Sequence, residues 1–297
     1  MSKEQTWSIG RLLDWTANYL KQKGSEAPRL ETEVLLAHAL QCRRIELYTR
    51  YDELADDDVR QSFRELIQKR LEGCPVAYLV GRKEFFSLEF EVTPAVLIPR
   101  PDTECLVMEC LRLAKDLAEP HIVDVGTGSG NIAVAVARRH KGARVTATDV
   151  SPEALAVAAR NAAKHGVAER IRFLEGDLLA PVPKGEHFDF VLSNPPYVAA
   201  EEMATLPADV RDYEPRLALE GGPGGFTVFG RLVEEARGYL KPGGWLLVEI
   251  GGPQENGARE RVAALPGYEL AKTIHDTEGR PRVLAARWRG EGKPPQP

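Results

Sequence analysis

Apolar residues recur at helical spacing through the first quarter of the chain. Ile9, Leu12, Leu13 and Leu20 fall on one helical face, and Leu30, Val34, Leu35 and Ala39 repeat the period after a break at GSEAP, residues 24–28. The stretch ADDDVRQSFRELIQKRL, 55–71, has acids where the helix dipole favours negative charge. An apolar stripe of Val59, Phe63, Leu66 and Ile67 follows, with Lys69 and Arg70 at the far end. Residues 1–75 therefore read as a small all-helical domain. In FSLEFEVT, 86–93, the period drops to two, and Gly81, Pro94, Pro99 and Pro101 interrupt the chain. A β-hairpin linker over 76–100, ending in a rigid extended connector, is the expectation. PDTE, 101–104, offers a cap-like start for a helix reaching about Leu117.

From residue 121 strands and helices alternate. HIVDV, RVTATDV, IRFLEG, FDFVLSN and WLLVEIG read as strands, separated by the helical patterns SGNIAVAVARRH, SPEALAVAARNAAKHG and GRLVEEARGYL. Single helices between strands imply parallel βαβ units with right-handed crossovers and helices on both faces, an α/β class. YELAKTIH and RVLAARW, joined by the short DTEGRP, should pair antiparallel. The catalytic domain is placed at 101–289, and the polar tail RGEGKPPQP, 290–297 with its preceding arginine, is expected to be disordered.

Composition narrows the classes. At 297 residues, 43% hydrophobic and 28% charged, the chain has material for two unequal folded domains. No apolar run approaches a membrane span, and the start has neither basic flank nor apolar core of a signal peptide, so a cytoplasmic location is expected. Cys42, Cys74, Cys105 and Cys110 form no C-x-x-C pair and the six histidines no helical H-x-x-x-H, so neither a metal site nor a disulfide framework is expected. A net charge of −5, with 12 basic against 13 acidic residues in 1–75, argues against a grip on nucleic-acid backbone. For the helical domain, holding a partner protein is the functional reading and plain packing the bland one.

Ligands of open parallel sheets sit beyond the carboxyl ends of the strands. The first such end is VDVGTGSGN, with Gly126, Gly128 and Gly130. A dinucleotide fingerprint needs its third glycine at 131, where Asn131 stands. Asp149 ends the second strand, where a carboxylate accepts from both hydroxyls of a ribose. Asp177 follows the third and can reach an adenine amino group, with Leu178 packing on the ring. No phosphate-binding Lys or Arg is nearby, so S-adenosylmethionine fits better than NAD or ATP.

The fourth strand ends in SNPPYV, 193–198. An amide or exocyclic aromatic nitrogen is a poor nucleophile because its lone pair is delocalised. Methylating it requires acceptors for both N–H groups, placed to localise the lone pair and aim it. The Asn194 side-chain carbonyl and the Pro195 backbone carbonyl can be those acceptors, the prolines fix φ, and Tyr197 supplies a flat wall.

The chain resembles the protein-(glutamine-N5) methyltransferases that modify release factors, the PrmC or HemK family. The resemblance rests on PVAYLVGRKEFF, VLIPRPDTE, DVGTGSGNIA, Asp149, SNPPYV, DYEPRLALEGG, LKPGGWLLVEIG with Gln254, and DTEGRPRVL. NPPY alone is shared with adenine-N6 methyltransferases; IPRPDTE is more specific. The resemblance implies a class I S-adenosylmethionine-dependent methyltransferase domain, Rossmann-like with a mostly parallel seven-stranded sheet, behind a helical domain that docks the release factor. It implies methyl transfer to the glutamine amide of the Gly-Gly-Gln loop, with S-adenosylhomocysteine as product. Carried over by position, cofactor binding falls on Gly126, Thr127, Gly128, Ser129, Gly130, Asp149, Asp177, Leu178 and Asn194. Catalysis falls on Asn194, Pro195 and Tyr197, and substrate binding on these with Pro196. Partners are release factors, with no direct nucleic-acid or membrane contact, and a monomer is expected. The alternatives are an adenine-N6 DNA or RNA methyltransferase with the same NPPY chemistry, and a non-enzymatic binding module on this fold. Glu214, Arg216 and Arg282 have no role derivable at this level.

Overall fold

The structure, a computed structural model, describes residues 7–290; the expected disordered tail, past Gly290, lies outside the described residues. The chain divides into two compact units, one comprising the chain up to Gly81 together with Ala208–Tyr213, the other Arg82–Pro207 with the chain from Glu214 onward.

The first unit contains α1 (Ile9–Gln22), α2 (Pro28–Ala39), α3 (Glu46–Thr49), α4 (Asp57–Leu71) and α5 (Val76–Val80). Ser8 and Asp56 cap α1 and α4 by accepting from Arg11 and Val59 backbone N–H groups. Ile9, Leu13, Leu20, Leu35, Leu36, Leu47 and Phe63 close the core. The apolar stripe of α2 runs one residue later than the sequence period suggested: Leu30 is exposed and Leu36 buried. The shift follows Glu33, which is turned inward to accept from Arg29, Arg44 and Tyr48. Residues 76–80, placed in the linker by sequence, are helical and pack with this core, because Val76, Leu79 and Val80 find apolar partners there. Gly81, at φ +72°, ends α5. The short helix Ala208–Tyr213, assigned by sequence to the catalytic domain, completes the unit, with the Tyr213 hydroxyl donating to the Glu72 carbonyl at 2.9 Å.

The second unit opens with the hairpin β1 (Arg82–Phe85) and β2 (Leu88–Glu91), followed by the connector 92–100 and α6 (Glu104–Ala114). The hairpin turn has left-handed φ at both Phe86 and Ser87, a geometry that normally calls for Asn-Gly. Glu104 accepts from the Phe86 N–H at 2.8 Å and Arg139 donates to its carbonyl at 3.2 Å, which pins the turn in place of a glycine. The expected cap from PDTE does not form: Pro101–Thr103 is a 3₁₀ turn, and Thr103 makes no side-chain bond to the helix.

β3 (His121–Val125), α7 (Asn131–Arg139), β4 (Arg144–Asp149), α8 (Pro152–Lys164), β5 (Ile171–Glu175), β6 (Phe188–Ser193), the helix α9 (Ala208–Tyr213) of the first unit, α10 (Arg216–Leu219), α11 (Thr227–Ala236), β7 (Leu240–Glu249), α12 (Glu255–Ala263), β8 (Tyr268–Leu270), β9 (Ile274–His275) and β10 (Pro281–Trp288) follow. The strands lie in the order β5-β4-β3-β6-β7-β10-β8, with two-residue β9 beside β10. β5, β4, β3, β6 and β7 are parallel, and β10 is antiparallel to its neighbours. Strand residues alternate between two apolar layers. Ile122, Phe190, Leu192 and Leu247 face α6, α7 and the hairpin phenylalanines, whereas Val123, Val125, Val191 and Leu246 face α11 and α12.

One buried amide ties three pieces of this unit together. Asn161 of α8, 0% exposed, accepts from the Glu91 N–H at 2.7 Å and donates to the carbonyls of Glu91 and Ser129 at 3.0 and 2.9 Å. Replacing it by Ala strands buried backbone groups on the hairpin and on the glycine loop. Asn161→Ala is expected to lower unfolding free energy by about 2–3 kcal/mol in urea denaturation followed by circular dichroism. A loss below about 0.5 kcal/mol would mean these groups do not need the amide.

Candidate functional site

The register of the parallel strands puts their ends in one row. Val125 of β3 lies opposite Thr148 of β4 and Ser193 of β6, and Ser193 lies opposite Val248 of β7. The next residue along each strand is Gly126, Asp149, Asn194 and Glu249. A cavity of about 480 Å³ opens against this row, walled by Gly126–Ser129, Asp149, Asp177, Leu178, Asn194, Pro196 and, from the 3₁₀ turn after the connector, Thr103. The size suits a small organic ligand.

Gly126, Gly128 and Gly130 all have left-handed φ (+71°, +54° and +78°). A Cβ on Gly126 or Gly128 would meet nothing within 4 Å, whereas one on Gly130 would stand 3.0 Å from the Ala158 methyl. Gly130 therefore serves the approach of the loop to α8 and is not on the cavity wall. Asp124, fully buried, fixes the loop from beneath: it accepts from the Thr127 hydroxyl at 2.6 Å and from the Ala133 N–H at 3.2 Å, and burial pushes its carboxyl up to about 7. A charged residue inside the apolar strand HIVDV was the one available sequence signal for it.

Asp149 is aimed by two backbone donors, Gly128 N–H at 2.8 Å on one oxygen and Ser151 N–H at 3.0 Å on the other. Each oxygen keeps a lone pair for a further donor. Asp177 lies on the wall but is half exposed and holds Arg231 at 2.6 Å, so one of its oxygens is already engaged. Leu178, at φ +48°, presents apolar surface.

Asn194 donates from Nδ2 to the Thr103 hydroxyl at 3.2 Å. That leaves Oδ1 as the amide atom available to accept. Pro195 and Tyr197 are not on the cavity wall, although Pro196 is. The Tyr197 phenol is pushed up to about 12 by burial, and the negative charge of Glu249 adds to the shift. Its carbonyl accepts from Gln254 Nε2 at 2.9 Å, and Gln254 Oε1 takes the Gly251 N–H at 3.1 Å, which braces the NPPY turn.

The three residues without a role in the sequence now have places. Glu214, buried, holds the connector by accepting from the Ile98 N–H at 3.1 Å and from Arg100. Arg282 bridges Asp102 and Asp276 at 2.7 and 2.9 Å. Arg216 pairs with Glu220 on the surface. In the sequence Thr103 belongs to a helix start, because a hydroxyl before a helix looks the same there whether it caps or faces a site.

Among the described residues no helix is long and apolar enough to cross a membrane. Residues 11–81 match the family model described as PrmC N-terminal domain, and 103–209 that described as Methyltransferase small domain. A release factor glutamine methyltransferase of Rhodopirellula baltica is 42% identical over 289 residues, 96% of this chain and 97% of its own. That of Geobacter sulfurreducens is 42% identical over 288 residues, 96% and 98% of the two chains. Among solved structures, the catalytic domain of hMettl16 in complex with MAT2A 3'UTR hairpin 6 matches with a TM-score of 0.52 at 17% identity, over 78% of this chain and 84% of that one, a likeness of fold alone. With such identity carried across nearly its whole length, the chain belongs to the release factor glutamine methyltransferase family.

Proposed function

We infer that the protein transfers a methyl group from S-adenosylmethionine to the side-chain amide N5 of the glutamine in the Gly-Gly-Gln motif of peptide chain release factors. The observation that carries the reading is full-length membership of the family together with an asparagine whose oxygen is left to accept beside the cavity. The residues present fit a nucleoside sulfonium. Asp149 would take the ribose hydroxyls, the open backbone at Gly126 and Gly128 admits a close approach, and Leu178 offers an apolar surface to the base. When bound, that cofactor supplies a methyl already activated on positive sulfur.

The chain's own task is to orient and to localise. Asn194 Oδ1 and the Pro195 carbonyl accept from the two N–H bonds of the target amide, drawing its nitrogen lone pair out of conjugation and toward the cavity. No strong base is required at that moment: once the methyl is bonded, the amide nitrogen sheds one of its now acidic N–H protons to water. Orientation of this kind supplies up to about 7–11 kcal/mol in well-placed systems. Adenine presents a similar amine to such a clamp. The full-length similarity and the net charge of −5 favour the glutamine and a protein partner over nucleic acid. The reading is of a cytoplasmic monomer.

For the partner we propose the helical unit as the docking surface. Trp7, Trp15 and Tyr19 form an aromatic ladder, with centroids 5.9 and 5.2 Å apart. They line a groove of about 750 Å³ with Arg11, Arg60, Arg64 and Leu71, and Trp15 is 54% exposed. Aromatic and arginine side chains are the residues that anchor protein interfaces, and the occupant we assign is an acidic, apolar face of the release factor.

Labelled S-adenosylmethionine should mark a release factor but not its Gln→Ala loop variant; equal labelling of both would contradict the reading. Asp149→Ala should weaken cofactor binding by about tenfold or more in calorimetry, since charge-assisted bonds contribute roughly 1.5–3 kcal/mol each. Unchanged affinity would remove Asp149 from the ribose site. Trp15→Ala should raise the KM for the release factor severalfold without moving cofactor affinity. If neither parameter moves, the groove is not the docking surface.

A further inference from the structure

Thr103 and Glu249 stand behind Asn194 with no assigned task. Thr103 is 1% exposed and Glu249 2%. The Thr103 hydroxyl accepts from Asn194 Nδ2 at 3.2 Å and lies near enough to the Glu249 carboxyl to favour its ionised form. One Glu249 oxygen, Oε2, is buried with no hydrogen-bond partner among the described residues.

A threonine hydroxyl has one hydrogen to give and lone pairs to receive. A carboxylate only accepts, so it takes the Thr103 hydrogen and leaves the hydroxyl able to do nothing toward Asn194 but accept. The Asn194 amide then has one compatible orientation, with NH2 toward Thr103 and oxygen away from it. Without the carboxylate, the hydroxyl could equally donate to Asn194 Oδ1, and the amide would turn its NH2 toward the acceptor site. Two N–H groups would then face each other.

A neighbouring hydroxyl is poor compensation for a buried carboxylate, and removing such groups often leaves a protein as stable or more so. Folding alone does not explain Glu249. Arg282 and Arg100 oppose the upward push that burial gives its carboxyl, and Asp102 adds to that push. Burial pushes the carboxyl up to about 7, so the arrangement is set above that pH, where the group is a carboxylate, and is lost below it, where the carboxyl can itself donate to Thr103.

We propose that Glu249 and Thr103 are positioning residues, a polarity relay that holds the Asn194 amide with its oxygen toward the methyl-accepting nitrogen. This rests on the reading of Asn194 as the acceptor clamp. It also explains why the IPRPDT stretch, distant in sequence from NPPY, belongs to the same site: its threonine sets which way the asparagine faces.

The test compares Thr103→Val, Thr103→Ser, Glu249→Leu and Asn194→Ala in the full chain, using a release factor, S-adenosylmethionine and S-adenosylhomocysteine. Thr103→Val and Glu249→Leu should each lower kcat by about 10- to 100-fold, the range expected when a catalytic group is misaimed. S-adenosylhomocysteine affinity should stay within about twofold and Thr103→Ser within about threefold of the parent kcat, which a merely structural threonine would not require. Should Thr103→Val not fold, Glu249→Leu decides by the same split. Parent-like kcat in either variant, or equal losses in Thr103→Ser and Thr103→Val, overturns the relay while Asn194→Ala remains inactive. Full turnover by Asn194→Ala overturns the clamp itself.

Discussion

Everything in the site depends on one constraint, the common level at which the parallel strands stop. Because Val125, Thr148, Ser193 and Val248 are register partners across β4, β3, β6 and β7, the residues that follow them emerge side by side. A slip of one residue in any pair would turn that strand's faces over and bury its terminal polar group in an apolar layer. The alternation of apolar residues into two layers makes such a slip costly. The row of glycine loop, aspartate, asparagine and glutamate is thus held by hydrophobic packing far larger than any of its own hydrogen bonds.

The second contribution comes from outside the sheet. The connector 92–100 has no ladder of its own, yet it must deliver Thr103 to the row. Buried Glu214 fixes it through Ile98 and Arg100, Arg282 holds Asp102, and Asn161 holds the preceding hairpin to the glycine loop. Charged and amide side chains do here what backbone pairing does elsewhere. Placement of the connector and the turn braced by Gln254 leave Asn194 Oδ1 as the amide atom open to accept beside the cavity.

The strands and long helices were legible because their periods are carried by many residues at once, as in HIVDV and NIAVAVARR. The strand-end glycines, Asp149 and Asn194 were legible because a parallel sheet collects ligands at that edge. Other features depend on partners remote in sequence, which no local pattern shows. Phe86 and Ser87 turn a hairpin without a glycine because Glu104 and Arg139 hold them. Leu30 gives way to Leu36 because Glu33 points inward. Gly130 follows the same glycine pattern as Gly126 and Gly128, but only there does a remote residue, Ala158, bar a Cβ. Thr103 looked like a helix cap and instead meets Asn194, 91 residues away.

The central claim is that Asn194 presents its oxygen, with the Pro195 carbonyl beside it, to the amide that is methylated. A crystal structure of the chain with S-adenosylhomocysteine and a peptide bearing Gly-Gly-Gln tests it most directly. The account predicts the glutamine side-chain nitrogen within about 3.2 Å of both Asn194 Oδ1 and the Pro195 carbonyl oxygen, with Asn194 Nδ2 still on Thr103. A glutamine amide held by other groups, or an Asn194 turned with its NH2 toward the peptide, would contradict it.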